Sequence, residues 1–138
     1  MKVLIIEDEQ LAARRLENML KEFNPDIEVI ARLESVAESI DWFHNNPDPD
    51  LIFLDIHLED NVSFAIFNEI TTKSPIVFTT ATDELSTRIF ALRKIDYLLK
   101  PIIQKDLNRM IEKYKDFPEE KKILITSETF KDFINRNK

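Results

Sequence analysis

Short apolar runs alternate along this chain with longer stretches whose apolar residues recur every three or four positions. Residues 2–6 are a compact apolar run, stopped by the acidic triplet Glu7, Asp8 and Glu9. Leu11, Ala12, Leu16, Met19, Leu20 and Phe23 then fall on one side of a helix, which Asn24 and Pro25 close. Residues 27–33 predict a second strand. Ser35 precedes Val36, Ile40 and Phe43, so a serine-capped second helix is expected, ending before the polar loop 45–50 and its prolines. Residues 51–54 predict a third strand that stops at Asp55, and a loop through Asn61 leads to a helix over 63–70.

The same alternation continues with a strand at 75–80, a helix at 84–93 and a fifth strand at 95–99. Lys100 and Pro101 turn into a last helix over 104–117, with Leu107, Met110, Ile111 and Tyr114 on one side. Strands alternating with helices in this way call for an α/β domain with a parallel sheet, right-handed crossovers and helices on both faces. The strands are apolar almost throughout, as burial from both sides requires. Residues 1–117 therefore form one domain. After the charged break at 118–122, residues 118–138 are expected to be a linker or tail, with an apolar run at 123–125 and an amphipathic turn around Phe130, Phe133 and Ile134. Packing on the domain, exchange with a partner, and continuation into a longer chain are all open for it.

Composition closes several routes. The chain has no cysteine, which excludes disulfides, cysteine–zinc sites and thiol nucleophiles. It also has no glycine, which excludes glycine-rich phosphate loops and the dinucleotide fingerprint. A net charge of −7 argues against a broad basic face for nucleic acid. The late cluster Lys121, Lys122, Lys131, Arg136 and Lys138 is interleaved with acids. No run approaches the roughly eighteen apolar residues of a membrane span, and the start is too short for a signal peptide, so a cytoplasmic protein without a membrane partner is expected.

The polar residues that interrupt the pattern share one location. Glu7 and Asp8 end the first strand, Asp55 the third, Thr79 and Thr80 the fourth, and Lys100 the fifth. In an open parallel sheet ligands bind at the carboxyl ends of the strands. Read singly, Glu7–Glu9 is a solvated helix start, Asp55 a turn residue and Lys100-Pro101 a helix start; together they describe a site. Three converging carboxylates repel one another and want a divalent cation, and an all-oxygen set suits Mg2+. Asp55 is the candidate nucleophile, because carboxylates form aspartyl-phosphates. Mg2+ and the Lys100 ammonium would neutralise the phosphoryl oxygens, with the Thr80 hydroxyl bonding another.

The segments LIIEDEQLAARRLENML, DLIFLDIHLEDNVSF, PIVFTTATDE and IDYLLKPI, in this order and spacing, resemble the receiver domain of bacterial two-component response regulators. The variety that precedes a LytTR-type DNA-binding domain is the most similar. The resemblance spans about residues 1–117. It implies a doubly wound, flavodoxin-like (βα)5 sandwich with strand order 2-1-3-4-5. It further implies that Asp55 is the phosphoacceptor and that Mg2+ is held by Asp8, Asp55, the His57 backbone carbonyl and Glu7, the last through water. Thr80 and Tyr97 would be the switch residues, Lys100 the phosphate-binding lysine, and the Lys100-Pro101 peptide cis. The implied partner is a sensor histidine kinase. The implied output is a change on the face of the fourth helix, fifth strand and fifth helix, with homodimer formation on phosphorylation and any DNA binding left to a following domain. The domain would be a phosphoacceptor, not an enzyme of external turnover. Family members usually carry Asp at position 7 and aromatics at positions 82 and 85, where this chain has Glu7, Thr82 and Leu85. Two rival readings are a haloacid-dehalogenase-type phosphatase, which would want a second Asp where His57 stands, and a receiver-like interaction module that is not phosphorylated.

Overall fold

The computed structural model describes residues 1–81 and 95–131. The helix expected over 84–93, the family positions 82 and 85, and the turn at Phe133 and Ile134 lie outside these residues. Five strands, β1 (Lys2–Ile6), β2 (Glu28–Leu33), β3 (Leu51–Asp55), β4 (Ile76–Thr80) and β5 (Tyr97–Leu99), form one sheet in the order β2-β1-β3-β4-β5. Every pairing is parallel, which is the doubly wound arrangement expected. No helix among the described residues is long and apolar enough to cross a membrane.

Alternation along the strands builds two cores, one on each face of the sheet. Val3, Ile5, Leu51, Phe53, Val77 and Leu98 face α1 (Gln10–Phe23) and α3 (Gln104–Tyr114), the latter being the fifth helix of the sequence pattern. These helices contribute Ala13, Leu16 and Leu20 and, from α3, Leu107 and Ile111. Leu4, Ile6, Ile52, Leu54, Ile76 and Phe78 point the other way, towards α2 (Val36–Asn45) and a 3-10 helix over Ser63–Asn68. β3 and β4 are buried along their whole length, as central strands covered on both sides must be.

β4 and β5 begin one and two residues later than the sequence pattern, and three further boundaries differ from it for local reasons. Ile27 is held in a turn, its N–H donating to the Asn24 carbonyl, so β2 starts one residue later. The segment expected as a helix over 63–70 is a tight 3-10 helix. It has no side-chain cap and no acid in its first turn, and four of its six residues, Ser63, Phe64, Ile66 and Phe67, are buried. Its burial, not its local propensity, fixes its course. α3 stops at Tyr114 because Phe117 precedes Pro118, and a residue before proline is pushed out of helical backbone.

The caps tie the loops to the helices. Ser35 Oγ accepts from the Glu38 N–H at 3.0 Å, as the sequence predicts. Asp60, from the loop after β3, reaches the same helix start: its carboxylate accepts from the N–H groups of Val36 at 2.8 Å and Ala37 at 3.1 Å. The Val36 bond chiefly, with Ala37 adding to it and outweighing partial desolvation, holds the Asp60 carboxyl below the usual carboxylate range.

The segment after α3 is not a free tail. Ile125 and Thr72 exchange two backbone hydrogen bonds, at 2.7 and 3.2 Å, and Ile125 and Phe130 are both buried in the core on the α2 side. Of the three courses open to residues 118–138, packing on the domain is the one adopted over 123–131.

Two substitutions test this packing. Phe53→Ala empties a site that is 1% exposed and should cost about 3–5 kcal/mol, read as a lowered urea midpoint at unchanged slope. Asp60→Ala should cost about 0.5–2 kcal/mol, the range for losing a helix-start cap. Because the folded Asp60 carboxyl titrates below its ordinary 3.8, the cap is fully present above that pH and is lost as pH falls through the depressed value. The stability gap between wild type and variant should therefore close below about pH 4, measured by urea titration at each pH.

Candidate functional site

All five strands run the same way, so their carboxyl ends lie along one edge of the sheet. Glu7 and Asp8 follow β1 there, and Asp55 closes β3 opposite Thr79. Thr80 closes β4, and its carbonyl accepts from the Lys100 N–H at 2.8 Å, fixing Lys100 just past β5. The Lys100-Pro101 peptide is cis, as expected.

The side chains converge. Ligand oxygens of Glu7, Asp8 and Asp55 all lie within 4.8 Å of one another. The Lys100 ammonium donates to Glu7 Oε1 at 2.5 Å and to Asp55 Oδ2 at 2.9 Å. Glu7 Oε2 accepts from the Glu9 N–H at 3.1 Å, so both oxygens of that carboxylate are engaged. Glu7 and Asp55 are buried, at 5% and 8% exposure, in a place where unpaired carboxylates would be costly.

The charges are unevenly settled. Three carboxylates against one ammonium leave the cluster negative. Burial, followed by the hydrogen bond and repulsion from Glu7, raises the Asp8 carboxyl above its ordinary value. For Lys100, burial pulls the pKa down, but the bonds to Glu7 and Asp55 outweigh it and the net direction is upward. A second cation would relieve what Lys100 alone does not. The donors are all oxygen, which fits Mg2+, and they all lie within 4.8 Å of one another.

Of the residues predicted from sequence, Glu7, Asp8, Asp55 and Lys100 meet directly. Thr80 borders them, with its hydroxyl donating to the Ala81 carbonyl at 2.9 Å. Tyr97 is half-buried on β5, paired in register with Phe78 of β4. The His57 side chain is exposed; its backbone bridges to Val62, which closes the loop after Asp55. A groove of about 590 Å³ opens beside the cluster, between α1 and residues 100–102, with Leu11, Arg15 and Pro101 in its walls.

Two contacts were not legible in the sequence. The direct bond from Lys100 to Glu7 depends on side-chain reach, which spacing does not reveal. Asp60 steadies the loop after Asp55 by bonding α2, a contact across 24 residues with no local signal.

The family model of the response regulator receiver domain matches residues 3–112. The chain is 37% identical over 116 residues to the sensory transduction protein LytT of Enterococcus faecalis, covering 82% of this chain and 47% of that protein. It is 36% identical over 118 residues to the transcriptional regulatory protein LytR of Staphylococcus aureus, covering 83% and 47%. It thus spans about half the length of the curated relatives it matches. Among solved structures, the response regulatory domain of mrkE from Klebsiella pneumoniae superposes with a TM-score of 0.69 at 29% identity, over 83% of this chain and 95% of that one. A strand order of β2-β1-β3-β4-β5, an acidic cluster closed by a lysine at the sheet edge, and these likenesses lead to one assignment: the chain belongs to the response regulator receiver domains of two-component signalling.

Proposed function

We propose that this domain is a cytoplasmic Mg2+-dependent switch that accepts a phosphoryl group on Asp55 from a sensor histidine kinase. The observation that carries the reading is the position of the Asp55 carboxylate, 2.9 Å from the Lys100 ammonium and grouped with Glu7 and Asp8. A carboxylate so placed has both a counter-charge for incoming phosphoryl oxygens and an acidic pair able to hold a cation. Asp8 and Asp55, with the His57 carbonyl and with Glu7 in support, are the residues that would hold Mg2+. The ion would supply positive charge against the phosphoryl oxygens.

An Asp55 oxygen attacks phosphorus in line. The phosphorus–nitrogen bond of the kinase phosphohistidine breaks, and the imidazole leaves with the bonding pair and takes a proton. Catalysis of this kind is mostly positioning and electrostatics. Lys100, now shared between two carboxylates, turns towards a phosphoryl oxygen. Thr80 leaves the Ala81 carbonyl to bond another, and Tyr97 turns inward on the adjoining strand. The surface of β5 and α3 changes with it and favours a second copy or an output partner. Residues 1–117 form the switching unit in this reading. The acidic charge of the chain and the greater length of its relatives favour a separate DNA-binding output domain.

A ligand moves this equilibrium only through its different contacts with the two states. Incubated with Mg2+ and acetyl phosphate, the wild-type chain should gain the mass of one phosphoryl group, and Asp55→Asn should gain none. An unmodified wild type, or a phosphorylated Asp55→Asn, would end the proposal. Lys100→Ala should be less stable but still folded and should retain some uptake, yet show no phosphorylation-dependent change in sedimentation. If it switched like the wild type, Lys100 would not be the coupling group.

A further inference from the structure

Phe130 lies about as far along the chain from the site as any described residue, yet its ring packs on both segments that frame the site. It stacks on Phe64 with ring centroids 4.9 Å apart at 24°, and meets Phe78 edge-on at 5.4 Å and 90°. Phe67 completes the notch at 5.4 Å. Phe78 is two residues before Thr80 on β4, so both side chains face the same side of the sheet, and it is paired laterally with Tyr97. Phe64 follows Ser63, whose N–H donates to the Ile56 carbonyl at 2.7 Å, immediately after Asp55. One aromatic ring from the end of the chain therefore bridges the loop leaving Asp55 and the strand leading to Thr80.

The segment around Phe130 is built to be held there. Ile125 is anchored to Thr72 by two backbone bonds, and it is buried while Ile123 and Leu124 beside it remain 68% and 52% exposed. A turn follows, in which the Thr126 N–H donates to Thr129 Oγ1 at 3.0 Å and the Glu128 N–H donates to Thr126 Oγ1 at 3.3 Å. That turn delivers Phe130, at 3% exposure, into the notch. With the segment docked, Lys100 is shared between Glu7 and Asp55 and the Thr80 hydroxyl is bonded to the Ala81 carbonyl, which on the switch reading given above is the resting arrangement.

We propose that residues 123–131 form a latch that docks Phe130 in the notch of Phe64, Phe67 and Phe78 and so favours the resting state of the Asp55 site. The latch rests on the switch reading given above and adds its regulator, a segment of the same chain. Close-packed aromatic clusters have few arrangements, so a shift of β4 or of the loop after Asp55 alters the fit of Phe130. Coupling of this kind is reciprocal: what activates the site loosens the latch, and what loosens the latch favours activation.

The test uses the full chain with Mg2+ and beryllium fluoride as the phosphoryl mimic. Phe130→Ala, and separately Ile125→Ala, should bind the mimic at least about fivefold more tightly than wild type by calorimetry, the low end of ordinary coupling. In the wild type, the mimic should speed hydrogen exchange at the Thr72 and Ile125 amides, which the docked segment protects. Equal affinity in a folded variant, or unchanged exchange at those amides, overturns the latch. Should the variants not fold, exchange in the wild type decides alone. A wild type that binds no mimic removes the Asp55 reading and the latch together. Normal wild-type binding without coupling removes only the latch.

Discussion

Three carboxylates brought to one edge of a sheet repel one another, and the Lys100 ammonium is the positive charge that makes their company tolerable. It donates to Glu7 and to Asp55, the two that are buried. Leaving either without a partner would strand a charge in a place poor in water, a cost of several kcal/mol. Burial first, and then Glu7 beside it, raise the pKa of Asp8, which has no hydrogen bond to Lys100 among those described. The cluster is thus balanced enough to fold yet keeps an excess of negative charge, which the proposed Mg2+ would meet.

That balance depends on the sheet being parallel and buried on both sides. Parallel strands put their carboxyl ends together, so residues 93 positions apart, Glu7 and Lys100, come within hydrogen-bond distance. The two cores hold the strand ends still: Phe53 and its neighbours pack under α1 and α3, and Phe78 and its neighbours pack under α2 and the 3-10 helix. Asp60 adds a polar tie from the loop after Asp55 to the start of α2. Preorganisation of this sort is what a site relying on position and charge requires.

The 3-10 helix and the segment at 123–131 belong to one solution. A short 3-10 helix covers less of the sheet than the longer helix the pattern suggested, and among the described residues Phe130 and Ile125 pack into the same core. That face of the sheet also carries Phe78, paired with Tyr97 and two residues before Thr80 on β4, so the same rings that fill the core adjoin the proposed switch residues.

The amphipathic stripes of α1 and α3, the apolar strands, and the stops at Asp8, Asp55, Thr80 and Lys100 were all legible in the sequence. Each is a local pattern, repeated with the period of its own element, and parallel connection forces the stops to one edge. The resemblance carried strand order and the cis peptide at Pro101 as well. Other features needed tertiary structure. The grip of Glu7 on Lys100, the reach of Asp60 to α2, the 3-10 course of residues 63–68 and the burial of Phe130 all depend on partners distant in sequence. Periodicity reports which side of an element is apolar; it carries nothing about which distant group will arrive to meet it, because that is settled by the volumes and charges left when the whole chain packs.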